Sequence, residues 1–159
     1  MALRKFTGVA PIRPGTASGE LDSILYAEDD DASWQLTERH LRHRFNLVRA
    51  KNAREVFDLL TVKTFRLILM DIELSGSDLD GIKIVRILRG KSLARLPSYA
   101  RNFHVEKLPA IIFVTAYSAR YSRDDLMASG GDEAVAKPVD FVTLTSAITR
   151  LILRPVLDT

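Results

Sequence analysis

The side chains that invite chemistry in this chain are carboxylates that directly follow short apolar runs. Glu28-Asp29-Asp30-Asp31 follows Ile24-Leu25-Tyr26-Ala27, and Asp71 follows Leu67-Ile68-Leu69-Met70. Thr115 and Lys137 stand in the same relation to Ile111-Ile112-Phe113-Val114 and Glu133-Ala134-Val135-Ala136. Four adjacent carboxylates repel one another unless a cation or a helix start receives some of them. Asp30 or Asp31 suits a helix cap, which leaves Glu28 and Asp29 for another purpose. Three carboxylates drawn into one small site call for a hard cation, and Mg²⁺ takes few protein oxygens while keeping water and phosphate ligands. With the Lys137 ammonium and the Thr115 hydroxyl opposite, such a site suits a phosphoryl group carried on the carboxylate between them, Asp71. Taken alone, Asp71 reads equally well as a helix cap or turn former.

The elements that must position these groups alternate along the chain. Leu67 to Met70 is too short for a helix and has no 3.6-residue period, so it reads as a buried strand of a parallel sheet. Ser23 to Ala27, Asn46 to Ala50, Leu108 to Val114 and Glu133 to Ala136 read as four more strands. Between them lie amphipathic helices. The first runs through Trp34, Leu36 and Leu41; the second carries Ala53, Val56, Phe57 and Leu60 at i, i+3, i+4, i+7. The third, Gly81 to Arg89, carries Ile82, Val85 and Leu88 and takes Asp78 or Asp80 as its cap. A short fourth opens on a Ser122/Asp125 capping box and closes at Gly130-Gly131; the last, capped by Asp140, aligns Phe141, Leu144, Ile148, Leu151 and Ile152. The pattern is an α/β (βα)5 domain with right-handed crossovers and helices on both sheet faces. In such a sheet the carboxyl ends of the strands open into one crevice, which would gather Glu28, Asp29, Asp71, Thr115 and Lys137.

Composition narrows the setting. At 159 residues the chain fits one domain with a sizeable core, and 47% apolar with 27% charged residues is ordinary for a globular protein. No apolar run approaches the roughly 18 residues of a membrane span, and the N-terminus has no signal-peptide core. Cysteine is absent, which excludes thiolate chemistry and favours a cytoplasmic setting. The formal charge of +3 is too small to argue for nucleic acid binding. Residues 1–22, rich in Gly and Pro, read as a flexible arm, and 154–159 as a short tail.

The ordered set Ile24-Leu25-Tyr26-Ala27-Glu28-Asp29-Asp30, Leu67-Ile68-Leu69-Met70-Asp71, Phe113-Val114-Thr115-Ala116 and Ala136-Lys137-Pro138-Val139-Asp140 resembles the receiver domain of two-component response regulators over residues 23–153. The resemblance implies a CheY-like, flavodoxin-like three-layer sandwich with a five-stranded parallel sheet of order 2-1-3-4-5. It implies that Asp71 is the phosphoacceptor, taking its phosphoryl group from a phosphohistidine on a sensor histidine kinase or phosphotransfer protein. Asp29, Asp71 and the backbone carbonyl of Glu73 would hold Mg²⁺, with Glu28 on metal-bound water. Lys137, joined to Pro138 by a cis bond, would contact one phosphoryl oxygen and Thr115 another. It further implies signalling through protein contacts, including a homodimer through the face of the fourth helix, fifth strand and fifth helix, without direct binding to nucleic acid or membrane. A domain of this kind assists its own phosphorylation and dephosphorylation and is otherwise not an enzyme. With only 154–159 after the last helix, a stand-alone regulator is expected.

Several residues depart from the pattern. Ala134 stands where the family usually has an aromatic that swings with the threonine, so the usual relay is not expected, and Tyr117 reads equally as its substitute or as a surface-loop aromatic. The loop Ile72 to Gly81 is longer than common versions and lacks their proline, and Glu73 adds an acid that, with Tyr117, would set how readily water reaches an acyl phosphate. Residues 90–108 read as an insertion between the third helix and fourth strand; Lys91, Arg95, Arg101 and Lys107 face only Glu106 there, so Tyr99, Phe103 and these cations would dock an acidic partner, extend the helix or form a solvated loop. His40 and His43 read as exposed helix histidines and Trp34 as a packing residue. Two other readings remain: a scaffold or pseudo-receiver that works without phosphate, and an aspartyl-phosphate hydrolase of the haloacid dehalogenase type, whose second acid Glu73 could supply.

Overall fold

Successive side chains of β1 (Asp22–Ala27) point into two different cores. Leu25 and Ala27 join a cluster with Val56, Phe57, Ile84 and Val85, while Ile24 and Tyr26 join another with Leu41, Leu144 and Ile148. A strand alternates its side chains across the sheet, so an unbroken apolar run requires cover on both faces. β3 (Leu67–Met70) divides in the same way, and each of its four residues is fully buried. At about 1.5–3 kcal/mol for each large apolar side chain removed from water, this strand is a principal source of the sheet's stability.

The computed structural model describes residues 20–91, 95–101, 103–105, 107–116 and 120–157, the last four by backbone alone. The arm expected over 1–22 lies outside the described residues up to position 19, as do Glu106, Tyr117 and the final two residues of the expected tail. The other strands are β2 (Phe45–Ala50), β4 (Ala110–Thr115) and β5 (Glu133–Ala136). All five are parallel in the order β2-β1-β3-β4-β5, the flavodoxin-like arrangement. Their register aligns the carboxyl ends: Ala27 lies opposite both Ala50 and Met70, Met70 opposite Phe113, and Thr115 opposite Ala136.

The helices are α1 (Asp31–Leu41), α2 (Ala53–Val62), α3 (Gly81–Leu88), α4 (Ser98–Arg101), α5 (Arg123–Ser129) and α6 (Phe141–Leu157). Of the alternative caps, Asp30 serves α1 by accepting from Ser33 N at 2.8 Å, and Asp80 serves α3 by accepting from Lys83 N at 2.9 Å. Asn52 caps α2, and the Ser122/Asp125 capping box opens α5. Such a cap contributes about 1 kcal/mol. α6 continues to Leu157, past the boundary at 153.

α4 is a single turn within the 90–108 segment, and it shifts the numbering: the face of fourth helix, fifth strand and fifth helix becomes α5-β5-α6. The segment also turns its aromatics inward. Tyr99 and Phe103 pack on Phe57 of α2 with ring centroids 5.6 and 4.8 Å away, and the Arg54 guanidinium lies over Tyr99. The rings are therefore half-buried against this domain's core rather than a free docking surface; Lys91, Arg95, Arg101 and Lys107 face outward. Trp34 packs beside Tyr26, and the exposed His40 stacks on Phe141 at 3.9 Å. Among the described residues no helix is long and apolar enough to cross a membrane.

Candidate functional site

The first residue after β1, β3 and β5 is still held by the sheet. Glu28 N donates to Ala50 O at 2.9 Å, Asp71 N to Ala27 O at 3.1 Å and Lys137 N to Thr115 O at 2.9 Å. Ladder bonds that outlast the strands fix the backbone where the polar side chains begin, so their placement rests on rigid elements. The side chains meet in a crevice of about 320 Å³ lined by Glu28, Asp29, Asp30, Ser33, Asp71, Glu73, Ser75, Thr115, Ala116 and Lys137.

Lys137 Nζ donates to Glu28 Oε1 at 2.7 Å and to Asp71 Oδ2 at 3.1 Å, so one ammonium is shared by acids from two separate strands. Ligand atoms of Glu28, Asp29 and Asp71 lie within 4.8 Å of one another. Asp29 Oδ2 accepts from Ser75 N at 3.0 Å, which draws the loop after Asp71 over the acids. Glu73 is exposed and lines the crevice, but its carboxylate is not in that close group. The Thr115 side chain is buried in the wall, and among the described residues its only hydrogen-bond contact is a long one, 3.5 Å to Ala116 O. The Lys137-Pro138 bond is cis. Ala134 is buried in the core beside α3 and α5, with no aromatic in its place, and Tyr117 lies outside the described residues.

Burial and the facing Glu28 carboxylate push the Asp71 carboxyl up to about 7, against the pull of Lys137. Burial also works against the Lys137 ammonium, but its bonds to Glu28 and Asp71 prevail and hold its pKa above the ordinary lysine value. Two carboxylates this close cannot both be comfortably ionised with a single ammonium between them, so a further cation is favoured. The donors are all hard oxygens, which suits Mg²⁺ better than a softer metal.

Two contributors escape sequence reasoning. Tyr26, wholly buried, donates its hydroxyl to Glu28 Oε1 at 3.0 Å, and burial raises its pKa so that it stays protonated. Residues i and i+2 share one face of a strand, so Tyr26 two places before Glu28 is a signal that could have been read. Arg49 donates through Nε to Glu28 O at 2.9 Å and through Nη1 to Asp31 Oδ1 at 2.9 Å, so it steadies the acidic loop. Nothing in the sequence fixes that pairing, because it depends on the β1–β2 register, where Arg49 lies opposite Tyr26.

A doubly wound 2-1-3-4-5 sheet with an acid-lined crevice and a lysine at its carboxyl edge is the CheY-like fold. The chain belongs to the response regulator receiver domain family, whose model matches residues 24–149. It is similar to the transcriptional regulatory protein ZraR of Klebsiella oxytoca, 29% identical over 149 residues, covering 89% of this chain and 30% of that protein. It is also similar to the response regulator SSK1 of Arthrobotrys oligospora, 30% identical over 149 residues, covering 82% of this chain and 14% of that protein. The chain thus spans less than a third of the length of these curated relatives. Among solved structures, a CheY-like receiver domain protein from Methanospirillum hungatei JF-1 superimposes with TM-score 0.69 at 22% identity, over 88% of this chain and all of that one. The receiver domain of the sensor histidine kinase PA1611 from Pseudomonas aeruginosa PAO1, solved with magnesium coordinated in its active site cleft, gives TM-score 0.65 at 22% identity, over 84% of this chain and 98% of that one.

Proposed function

We propose that this receiver is a phosphorylation-controlled switch in which Asp71 accepts a phosphoryl group from the phosphohistidine of a sensor histidine kinase or phosphotransfer protein. The observation that carries the reading is the convergence of Lys137 on Glu28 and Asp71, with Asp29 alongside, at the aligned ends of three strands. An Asp71 carboxylate oxygen attacks phosphorus; the O–P bond forms as the N–P bond breaks, and the imidazole leaves with its electron pair. Lys137, held between two acids, supplies a positive charge where a phosphoryl oxygen would sit. Thr115 supplies a hydroxyl without a short bond of its own among the described residues, ready to donate to another oxygen once the group has arrived.

Asp29, Asp71 and the backbone carbonyl of Glu73 would hold Mg²⁺, with Glu28 on its water. The ion would offset the negative charge that gathers on the transferred group. The phosphorylated domain signals through protein contacts in the cytoplasm, including pairing through the α5-β5-α6 face, without binding nucleic acid or membrane directly. Its unit is the receiver expected over residues 23–153, extended to Asp22 by β1 and to Leu157 by α6, with the 90–108 insertion.

Incubation with Mg²⁺ and acetyl phosphate, followed by intact mass, tests the reading. Wild type should gain one phosphate and Asp71→Asn none. An unmodified wild type would favour a scaffold that works without phosphate, and steady release of phosphate from unrelated monoesters would favour a hydrolase.

A further inference from the structure

β1 carries a polar group that packing does not require. Its apolar neighbours are Ile24, Leu25 and Ala27, and a hydrocarbon at position 26 would fill the same layer. A hydroxyl buried without a partner is costly, so the value of this one lies in what it bonds. Tyr26 OH donates to Glu28 Oε1, the same oxygen that receives the Lys137 ammonium, while Glu28 Oε2 accepts from Asp30 N at 3.2 Å. Glu28 is wholly buried, so in the metal-free protein these three donors, not bulk water, decide where its carboxylate points.

We propose that Tyr26 is a positioning residue for phosphoryl transfer, acting through Glu28 to set how the Lys137 ammonium is divided between Glu28 and Asp71. The ammonium already lies closer to Glu28, 2.7 Å, than to Asp71, 3.1 Å. Removing the phenol leaves Lys137 as the only donor to Glu28 Oε1 among the described residues. Their attraction then strengthens, and the ammonium is drawn away from the position where it meets a group on Asp71. The ring itself, which packs beside Trp34 at 6.1 Å, is kept in phenylalanine; of the hydroxyl's two partners, Glu28 lines the crevice and the buried Thr37 does not.

The inference rests on Asp71 being the phosphoacceptor, and the experiment separates the two. With acetyl phosphate at saturating Mg²⁺, Tyr26→Phe should lower the maximal phosphorylation rate about tenfold, the effect of one charge-assisted hydrogen bond. Its Mg²⁺ dissociation constant, measured by titration calorimetry, should stay within about twofold of wild type, since Asp29 and Asp71 are untouched. The unfolding midpoint of each variant establishes that the rates come from folded protein. Combining Tyr26→Phe with Glu28→Gln should be no slower than Glu28→Gln alone, because the tyrosine acts through that carboxylate. A Tyr26→Phe rate equal to wild type, or effects that add in the combined variant, would overturn the positioning role and leave Asp71 as acceptor. Absence of an adduct on wild type would overturn both.

Discussion

Replacing Gly81 by alanine tests whether the start of α3 holds the Asp71 backbone in place. A Cβ at position 81 would sit 2.1 Å from Asp71 O and 2.9 Å from both Asp71 C and Ile72 Cα. Contacts below 3.0 Å are essentially never seen, so the gap to the carbonyl must open by at least 0.9 Å, from 2.1 to 3.0 Å. The obstacles are backbone atoms and cannot rotate aside. The Gly81 N to Ile72 O bond, 2.8 Å, lies on the same approach and is stretched with it. Overpacking of this kind costs about 1–3 kcal/mol and a weakened hydrogen bond about 1 kcal/mol more. The better helix propensity of alanine returns less than about 1 kcal/mol, so the net loss should be about 2–3 kcal/mol. A displacement near 1 Å at the acceptor should slow phosphorylation about 100-fold. Denaturant unfolding and the acetyl phosphate rate measure the two effects. Gly90→Ala is the comparison: Gly90 has φ +75 with open space around it, so alanine there costs backbone energy but should leave the rate unchanged. If Gly81→Ala unfolds within about 1 kcal/mol of wild type and phosphorylates within about threefold, the claim that this contact fixes Asp71 is wrong.

Three further outcomes follow, two at the acidic crevice and one at the α4 turn. In metal-free protein the Asp71 carboxyl is raised from 3.8 to about 7, so the folded state holds its proton more tightly than the unfolded chain; that contribution to stability is complete below pH 3.8 and is lost as pH rises through 7. Mg²⁺ favours the ionised form, so thermal scans with and without Mg²⁺ should diverge progressively from pH 5 to pH 8; a constant difference would contradict this. Lys137→Met leaves Glu28 and Asp71 facing each other without their ammonium, and metal-free stability at pH 8 should fall by about 3 kcal/mol, less at pH 6 where Asp71 protonates, as read by urea unfolding. Tyr99→Phe removes the 2.6 Å bond to Asp78 and should cost about 1 kcal/mol, whereas Tyr99→Ala also strips the contact with Phe57 and should cost about 3 kcal/mol, with faster hydrogen exchange over the α4 turn in both.

What the sequence disclosed and what it hid divide along a physical line. β3 and β5 coincide with the expected Leu67 to Met70 and Glu133 to Ala136 because turn or polar residues bound each apolar run on both sides. The convergence of Glu28, Asp29, Asp71, Thr115 and Lys137 was legible because each ends or follows a strand, and parallel strands align their carboxyl ends. The inward packing of Tyr99 and Phe103 was not. Their partner, Phe57, lies some forty residues earlier, and no local period marks a side chain that docks on another helix. Choosing Asp80 over Asp78 as the α3 cap likewise depended on a tertiary contact, since Asp78 is engaged by Tyr99. Arg49 was hidden for the same reason: its value depends on which strand lies beside it.

The loop from Ile72 to Asp80, which lacks a proline, is moored at three points. Ser75 N reaches Asp29, Ser77 Oγ receives Ala53 N at 2.9 Å from the start of α2, and Asp78 receives the Tyr99 hydroxyl. A pyrrolidine ring would stiffen such a segment covalently, narrowing its freedom even in the denatured chain. Here the stiffening exists only in the native state and depends on neighbours far along the chain. The rim of the crevice is thus pre-organised by folding itself, so an arriving ion or phosphoryl group meets a frame whose disorder has already been removed.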